Sequence, residues 1–135
     1  MLNDATGFEH IYIAVGYTDL RRGIDGLAST VRESFNLDPY TNSIFLFCGR
    51  RSDRIKALIW EGDGYLLAYK RLETGSFQWP RNSDEVMEIS DQQFRWLMEG
   101  LRCEQKKTIP KAYPRQKKPV KTSELSPGNA VKTTI

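Results

Sequence analysis

Residues 54–73, RIKALIWEGDGYLLAYKRLE, decide the fold because they contain two β-compatible runs on either side of a tight connection. The runs are Arg54–Trp60 and Tyr65–Leu72, and the intervening EGDG has two glycines for the positive φ angles that a short turn needs. The pattern predicts an antiparallel β-hairpin in which Trp60 lies opposite Tyr65.

Side chains alternate between the two faces of a hairpin. In this hairpin, one face is mostly apolar and the other carries cations and aromatic rings. One face is apolar except for Lys70, which suits a core. Arg54 lies opposite Arg71 on the other face, which is unfavourable unless Asp53, Glu73 or an anionic ligand relieves the repulsion. The residues of this cationic-aromatic face are Arg54, Lys56, Trp60, Tyr65, Tyr69 and Arg71, with Leu58 and Leu67 between them.

Three interpretations of the cationic-aromatic face remain open. Cations interleaved with aromatic rings can contact phosphates and stack on bases. Trp, Tyr and Arg are also common anchors of protein interfaces. The simplest alternative is a solvated face whose lysine and arginine stems cover the rings. The residues predicted to bind nucleic acid are Arg50, Arg51, Arg54, Lys56, Trp60, Tyr65, Tyr69, Lys70, Arg71, Lys117 and Lys118.

Upstream of the hairpin, the hydrophobic pattern predicts two strands and a helix. Glu9–Val15 alternates as a strand, and Ser43–Cys48 is a continuous apolar run of the kind that is covered on both faces. Between them, Thr18–Asn36 carries apolar residues at helical spacing, with Thr18 or Asp19 as a candidate N-cap. Strand, helix and strand could form a βαβ unit with one parallel pair.

Downstream, the chain is predicted to turn at Gly75 and return as a strand through Phe77–Trp79, followed by a short strand at Val86–Ile89. Ser90 and Gln93 then form a capping box at the start of a second helix. The fold class is therefore α+β: one domain with a mostly antiparallel sheet of about five or six strands and two helices, which we expect on one face.

Charge divides the chain of 135 residues into two parts. Residues 1–101, the predicted domain, hold eleven cations and fifteen anions, whereas residues 102–135 hold nine cations, two anions and four prolines. Such a Pro/Lys-rich segment is predicted to be disordered until a partner binds it. Its lysines could give salt-sensitive affinity for a polyanion, or could simply solubilise the protein.

Catalytic motifs are missing from the sequence. His10 is the only histidine, and neither Cys48 nor Cys103 has a histidine near it in sequence. Two cysteines cannot make a disulfide framework, and both are predicted to be reduced thiols of a cytoplasmic protein. A metal-dependent nuclease would need carboxylates such as Asp53 and Glu61 to converge, but the hairpin separates them by about 20 Å. No metal, cofactor or enzymatic activity is predicted. Without a signal peptide or a long apolar run, a cytoplasmic location is predicted.

Three motifs in order carry a family resemblance: TDLRRGIDGLASTV (residues 18–31), FLFCGRRSDRIKALIWEGDGYLLAYKRLETGSFQWP (45–80) and ISDQQFRWLMEGL (89–101). Together they resemble the TnpB-type accessory protein, the second open reading frame product, of the IS66 family of bacterial insertion sequences. The resemblance covers about residues 9–101. It implies a small cytoplasmic bacterial protein that is needed for or assists transposition, beside a separate, larger transposase, and it carries over no catalytic residues.

Residues and resemblance together predict a non-enzymatic accessory protein of DNA transposition. Its predicted partners are DNA, in particular the element ends, and the transposase and other proteins of the same element, with no membrane partner. The alternative is a protein-interaction module that bridges or regulates the transposase without touching DNA.

Overall fold

The protein is described by a computed structural model over residues 5–104, whose five strands form a single sheet. Residues 105–135, which include Lys117 and Lys118 and most of the tail predicted over residues 102–135, lie outside the described residues. Of the first three residues of that predicted tail, Cys103 is buried in the core. The strands follow the order β4-β3-β2-β1-β5 across the sheet. The elements are β1 (His10–Ala14), α1 (Ile24–Ser29), β2 (Ser43–Cys48), β3 (Arg54–Trp60), β4 (Tyr65–Arg71), β5 (Val86–Ile89) and α2 (Asp91–Met98).

The sheet is mostly antiparallel, as predicted, with one parallel pair. β1 and β2 run parallel with His10 opposite Ser43, and α1 connects them, which confirms the βαβ unit. β3 and β4 form the predicted hairpin in the predicted register, with Trp60 opposite Tyr65. Only one glycine of the connection is needed for its backbone: Gly62 has a φ of 91°, whereas Gly64 is not in the positive region.

The two helices cover opposite faces of the sheet, so the expectation of both on one face is wrong. Leu97 of α2 packs in a cluster with Leu46 of β2, whereas Val31, just after α1, packs with Phe47. All six residues of β2 are buried. A strand that is apolar on both sides needs a covering layer on each, and α1 and α2 supply one layer apiece.

The first helix begins later than its hydrophobic pattern predicts. α1 starts at Ile24 with Gly23 as a cap that has no side chain, and the helix continues in π-helical geometry over Thr30–Ser34. Asp19 caps no helix: its carboxylate accepts hydrogen bonds from the backbone N–H and guanidinium of Arg21. These bonds lower the pKa of Asp19 to about 2. Residues 17–22 therefore form a connecting loop along the edge of the sheet.

The segment after the hairpin is buried without being a strand, so the prediction for Phe77–Trp79 is wrong. Phe77 and Trp79 are almost fully buried, and the Trp79 Nε1–H donates to the Ala14 carbonyl at 2.8 Å. The side chain thus occupies an acceptor at the end of β1, and the segment packs on the sheet without joining it.

The second helix begins where the sequence predicts. Ser90 Oγ accepts from the Gln93 N–H at 3.1 Å, and Gln93 Oε1 accepts from the Ser90 N–H at 2.8 Å, which confirms the capping box. Gly100, with a φ of 84°, follows the end of the helix. Neither helix in residues 5–104 is long and apolar enough to cross a lipid bilayer.

Candidate nucleic-acid interface

The cationic end of the hairpin forms one wall of a groove of about 930 Å³. The loop between β1 and α1 forms the facing wall, and the turn after β2 closes the end. We call this feature the cationic groove. Its lining residues are Tyr17, Thr18, Asp19, Leu20, Arg21, Gly49, Arg50, Arg51, Arg54, Lys56, Leu67 and Tyr69.

The parallel pair of strands explains why the groove lies at this edge. The carboxyl ends of β1 and β2 meet there, and ligand sites of open sheets with parallel strands favour such an edge. The Thr18 N–H donates to the Cys48 carbonyl at 2.9 Å, which ties the loop after β1 to the end of β2. Gly16 allows this path, since its φ is 90° and a Cβ there would lie 2.5 Å from the Ser83 carbonyl oxygen.

Two of the predicted cations are partly neutralised by one carboxylate. Asp53 Oδ1 accepts from Arg54 Nε at 2.9 Å, and Asp53 Oδ2 lies 3.5 Å from Arg51 Nη2. The hydrogen bond from Arg54 is the main cause that lowers the pKa of Asp53. On the facing strand, Arg71 Nη2 donates to Glu73 at 3.4 Å. Of the alternatives that the sequence left open, the two carboxylates thus relieve the opposed arginines.

Two other cations in the groove have no carboxylate partner among residues 5–104. Lys56 Nζ donates to the Arg22 carbonyl at 3.0 Å and lies 5.8 Å from the centre of the Tyr69 ring. The guanidinium of Arg50, an exposed side chain, lies 5.5 Å from the centre of the Tyr17 ring. A polar carbonyl or a ring leaves a full positive charge in place, so both residues can attract an anion.

Arg81 supports the groove, although the sequence did not single it out. Its guanidinium donates to the carbonyls of Gly16 and Gly49 and to the Ser52 hydroxyl, at 2.5, 2.6 and 3.0 Å. It also lies 4.2 Å from the centre of the Tyr17 ring. Arg81 thereby joins the loops after β1 and β2. Tyr17 and Arg81 stand in loops without periodicity, so no sequence signal places them beside the hairpin.

The predicted binding residues do not form one surface. Arg50, Arg51, Arg54, Lys56 and Tyr69 line the cationic groove. Arg71 lies next to it on the same face of β4, with its side chain half exposed. The other three predicted residues that the structure describes lie elsewhere. Lys70 pairs with Ile55 and so lies on the opposite face, and Trp60 and Tyr65 stand at the far end of the hairpin.

Trp60 and Tyr65 form an aromatic cluster with Tyr40 from the loop before β2. The ring centres are 4.9 Å apart for Tyr40 and Trp60, and 5.0 Å apart for Trp60 and Tyr65. The Tyr65 hydroxyl is buried near Tyr40 without a hydrogen bond of good geometry. Burial is the main cause that raises the pKa of Tyr65 to about 12, and Tyr40 adds to the shift.

We expect Tyr65→Phe to raise the free energy of unfolding by up to about 1 kcal/mol, because it removes a buried hydroxyl that has no hydrogen bond of good geometry. The gain should grow above pH 10. A phenol whose folded pKa is raised contributes stability below its unfolded pKa of 10 and loses it as the pH approaches 12. Urea titrations at pH 7 and pH 11 measure both effects, with Tyr69→Phe as the exposed control. A loss of stability at pH 7 would contradict the expectation.

An apolar groove of about 620 Å³ lies on the opposite face of the hairpin. Ile44, Ile59, Leu66 and Ala68 line it from the sheet, and Phe8 lines it from the chain before β1. Leu66 and Ala68 are only partly buried. Tyr40 and Trp60 stand at this groove as well, so the aromatic cluster borders an apolar surface rather than the cationic groove.

The three carboxylates of the candidate nuclease site, Asp53, Glu61 and Asp63, do not converge. Asp53 lies at the base of the hairpin with its arginine partners, while Glu61 and Asp63 lie at the tip. Within residues 5–104, no three His, Cys, Asp or Glu side chains come together as metal ligands would. His10 pairs with Glu88 at 2.7 Å on an exposed surface. A metal-dependent nuclease site at Asp53, Glu61 and Asp63 is thus inconsistent with the geometry.

The amino-acid sequence matches one family model and known relatives. A family model described as IS66 Orf2-like protein matches residues 9–108. A Sinorhizobium fredii protein named "Uncharacterized protein y4jC" is 37% identical over 91 residues, which cover 67% of this chain and 78% of the relative. A second from the same organism, "Uncharacterized protein y4hO", is 36% identical over 91 residues, covering 67% of this chain and 79% of the relative. No solved structure matches the chain significantly.

Proposed function

The chain belongs to the IS66 Orf2-like family of transposition-associated accessory proteins, and from that premise we propose that it holds nucleic acid of the element in its cationic groove. In this proposal it acts without catalysis of its own, positioning DNA for the separate transposase. It works in the bacterial cytoplasm and associates with the nucleoid when it is bound to DNA.

The observation that carries the proposal is the convergence of five cations around one groove: Arg21, Arg50, Arg51, Arg54 and Lys56. Asp19 offsets the charge of Arg21, and Asp53 offsets part of the charge of Arg51 and Arg54, but Arg50 and Lys56 retain theirs among the described residues. Cations that replace the counterions of a phosphate backbone give affinity without sequence preference, and that affinity falls with salt. The lysines of residues 105–135, including Lys117 and Lys118, would add to this salt-sensitive affinity.

We expect Arg50→Ala combined with Lys56→Ala to reduce the salt dependence of DNA binding. The plot of log affinity against log salt has a negative slope. Losing two phosphate contacts should make that slope shallower by about 1.4–1.8. The matched control is Lys70→Ala with Arg95→Ala, which removes two positive charges away from the groove. Anisotropy titrations of element-end DNA with the full chain, at 50 and 200 mM salt, measure both slopes.

The expected slope change corresponds to a difference of about 7- to 12-fold in affinity between the two salt concentrations. Equal losses in the groove variant and the control variant would show that only net charge matters, and would contradict a localised site. Deletion of residues 105–135 separates the share of the basic segment from that of the groove.

A second candidate function is suggested by the apolar groove at the other face of the hairpin. Apolar residues flanked by Tyr40 and Trp60 have the composition of a protein-binding surface, since such rings often anchor interfaces. The chain would then bridge or regulate the transposase without contacting DNA. Co-purification with the transposase, together with no DNA shift even at low salt, would favour this function over the first.

A further inference from the structure

We infer that the cationic groove takes single-stranded nucleic acid, whose unpaired bases stack on Tyr17 and Tyr69. The inference rests on the proposed function and specifies that the bound nucleic acid is single-stranded. Both tyrosines line the same groove, one from the loop after β1 and the other from the middle of β4. They bring aromatic rings from two separate chain segments to a surface on which cations outnumber the one carboxylate, that of Asp19.

The Tyr17 side chain is exposed to solvent, although hydrogen bonds fix the loop that carries it. Its exposed fraction is 58%, although the loop around it is tied to the end of β2. Arg81, fixed by hydrogen bonds to Gly16 and Gly49, lies 4.2 Å from the ring centre and supports it. Arg50 lies further away, at 5.5 Å, and has no ion pair in residues 5–104. Arg50 can therefore leave the ring to bind a phosphate, and a base can then stack on the Tyr17 ring in place of the guanidinium.

Tyr69 repeats this arrangement on the hairpin wall. Its exposed fraction is 54%, and Lys56 Nζ lies 5.8 Å from the ring centre. Lysine and arginine stems can cover aromatic rings, yet both tyrosines remain more than half exposed beside their cations. Each ring is instead an accessible platform beside a cation without a carboxylate partner, which matches the alternation of base and phosphate along one strand.

The exposed rings would add affinity for a single strand only. In a duplex, the flat faces of the bases are stacked on one another, so a tyrosine ring cannot reach them without unstacking. The groove volume of about 930 Å³ lies in the range of ligand sites, so the groove can hold a short stretch of strand. Cations at the rim could still contact duplex phosphates, but the tyrosines would then contribute little.

The test compares oligodeoxythymidylate with a duplex of equal length, each titrated by anisotropy against the full chain at one salt concentration. Tyr17→Leu and Tyr69→Leu keep an apolar side chain but remove the ring. Each should weaken single-strand binding by roughly 5- to 100-fold and leave duplex binding nearly unchanged. Tyr17→Phe and Tyr69→Phe should bind like the unaltered chain. Tyr40→Leu, at an equally exposed tyrosine outside the groove, is the matched control.

Each outcome decides something different. Single-strand binding that is unaffected by the leucine variants overturns the stacking inference, while salt-sensitive duplex binding would leave the proposed function standing. Phenylalanine variants as weak as the leucine variants would also overturn it, because the hydroxyl and not the ring would then matter. No binding of either probe at low salt overturns the proposed function itself. Thermal unfolding of the phenylalanine and leucine variants separates loss of binding from loss of fold.

Discussion

Leu46→Ala and Phe47→Ala, at neighbouring positions of β2, are each expected to lower the free energy of unfolding by about 3–4 kcal/mol. Both side chains are fully buried, and they point to opposite faces of the sheet. Leu46 packs in the cluster that contains α2, whereas Phe47 packs in the cluster that contains α1. Each truncation removes apolar contacts and leaves a cavity that the surrounding layers can fill only in part.

This pair tests the three-layer arrangement directly. A sheet covered on one face would tolerate one of two consecutive substitutions, because one of the two side chains would face water. Urea unfolding followed by circular dichroism measures both changes, and an unchanged m-value would indicate that the denatured state is the same. Tyr69→Ala, at an exposed strand position, should cost less than about 1 kcal/mol. A similarly small cost at either Leu46 or Phe47 would contradict helices on both faces.

Arg81→Ala is expected to lower the free energy of unfolding by about 3 kcal/mol and to loosen the loops of the cationic groove. The guanidinium hydrogen-bonds three oxygens, those of Gly16, Gly49 and Ser52. Hydrogen bonds from a charged donor contribute about 1.5–3 kcal/mol each, but three from one side chain are not additive. Their loss leaves two backbone carbonyls with a poorer set of partners at the sheet edge.

Hydrogen exchange gives a local readout of the same change. The Thr18 amide bonds the Cys48 carbonyl, and its protection should fall in Arg81→Ala because the loop that carries it loses its anchor. Arg81→Lys should recover only part of the stability, since an ammonium lacks the planar fork of donors. Arg95→Ala, an exposed arginine on α2, controls for charge. Unchanged protection at Thr18 would show that Arg81 does not hold the loop.

Local features of the fold were predictable because their physical causes lie within a few residues. The EGDG connection and the alternation on either side determined the hairpin register, down to the pairing of Trp60 with Tyr65. Ser90 and Gln93 satisfy each other across one helical turn, so the capping box is visible in the sequence. The continuous apolar run of β2 correctly indicated a central strand that is covered on both faces.

The incorrect predictions share a cause, which is that tertiary contacts replaced a local preference. Helical spacing from Thr18 onwards predicted an early start for α1, but residues 17–22 form a loop along the edge of the sheet. Phe77 and Trp79 resemble a strand, yet Trp79 uses its indole N–H on the Ala14 carbonyl and does not pair its backbone. The face that each helix covers depends on how the chain leaves the sheet, which no local pattern records.

The candidate site shows the same division. By itself, the sequence determined that Arg54, Lys56 and Tyr69 share one face of a hairpin, because alternation along a strand is a local property of the backbone. Only the tertiary structure decided that the cationic end of that face becomes a groove while Trp60 and Tyr65 lie apart from it. The parallel pairing of β1 with β2 brings the Tyr17 loop to the hairpin, and Arg81 holds it there from a third segment of the chain.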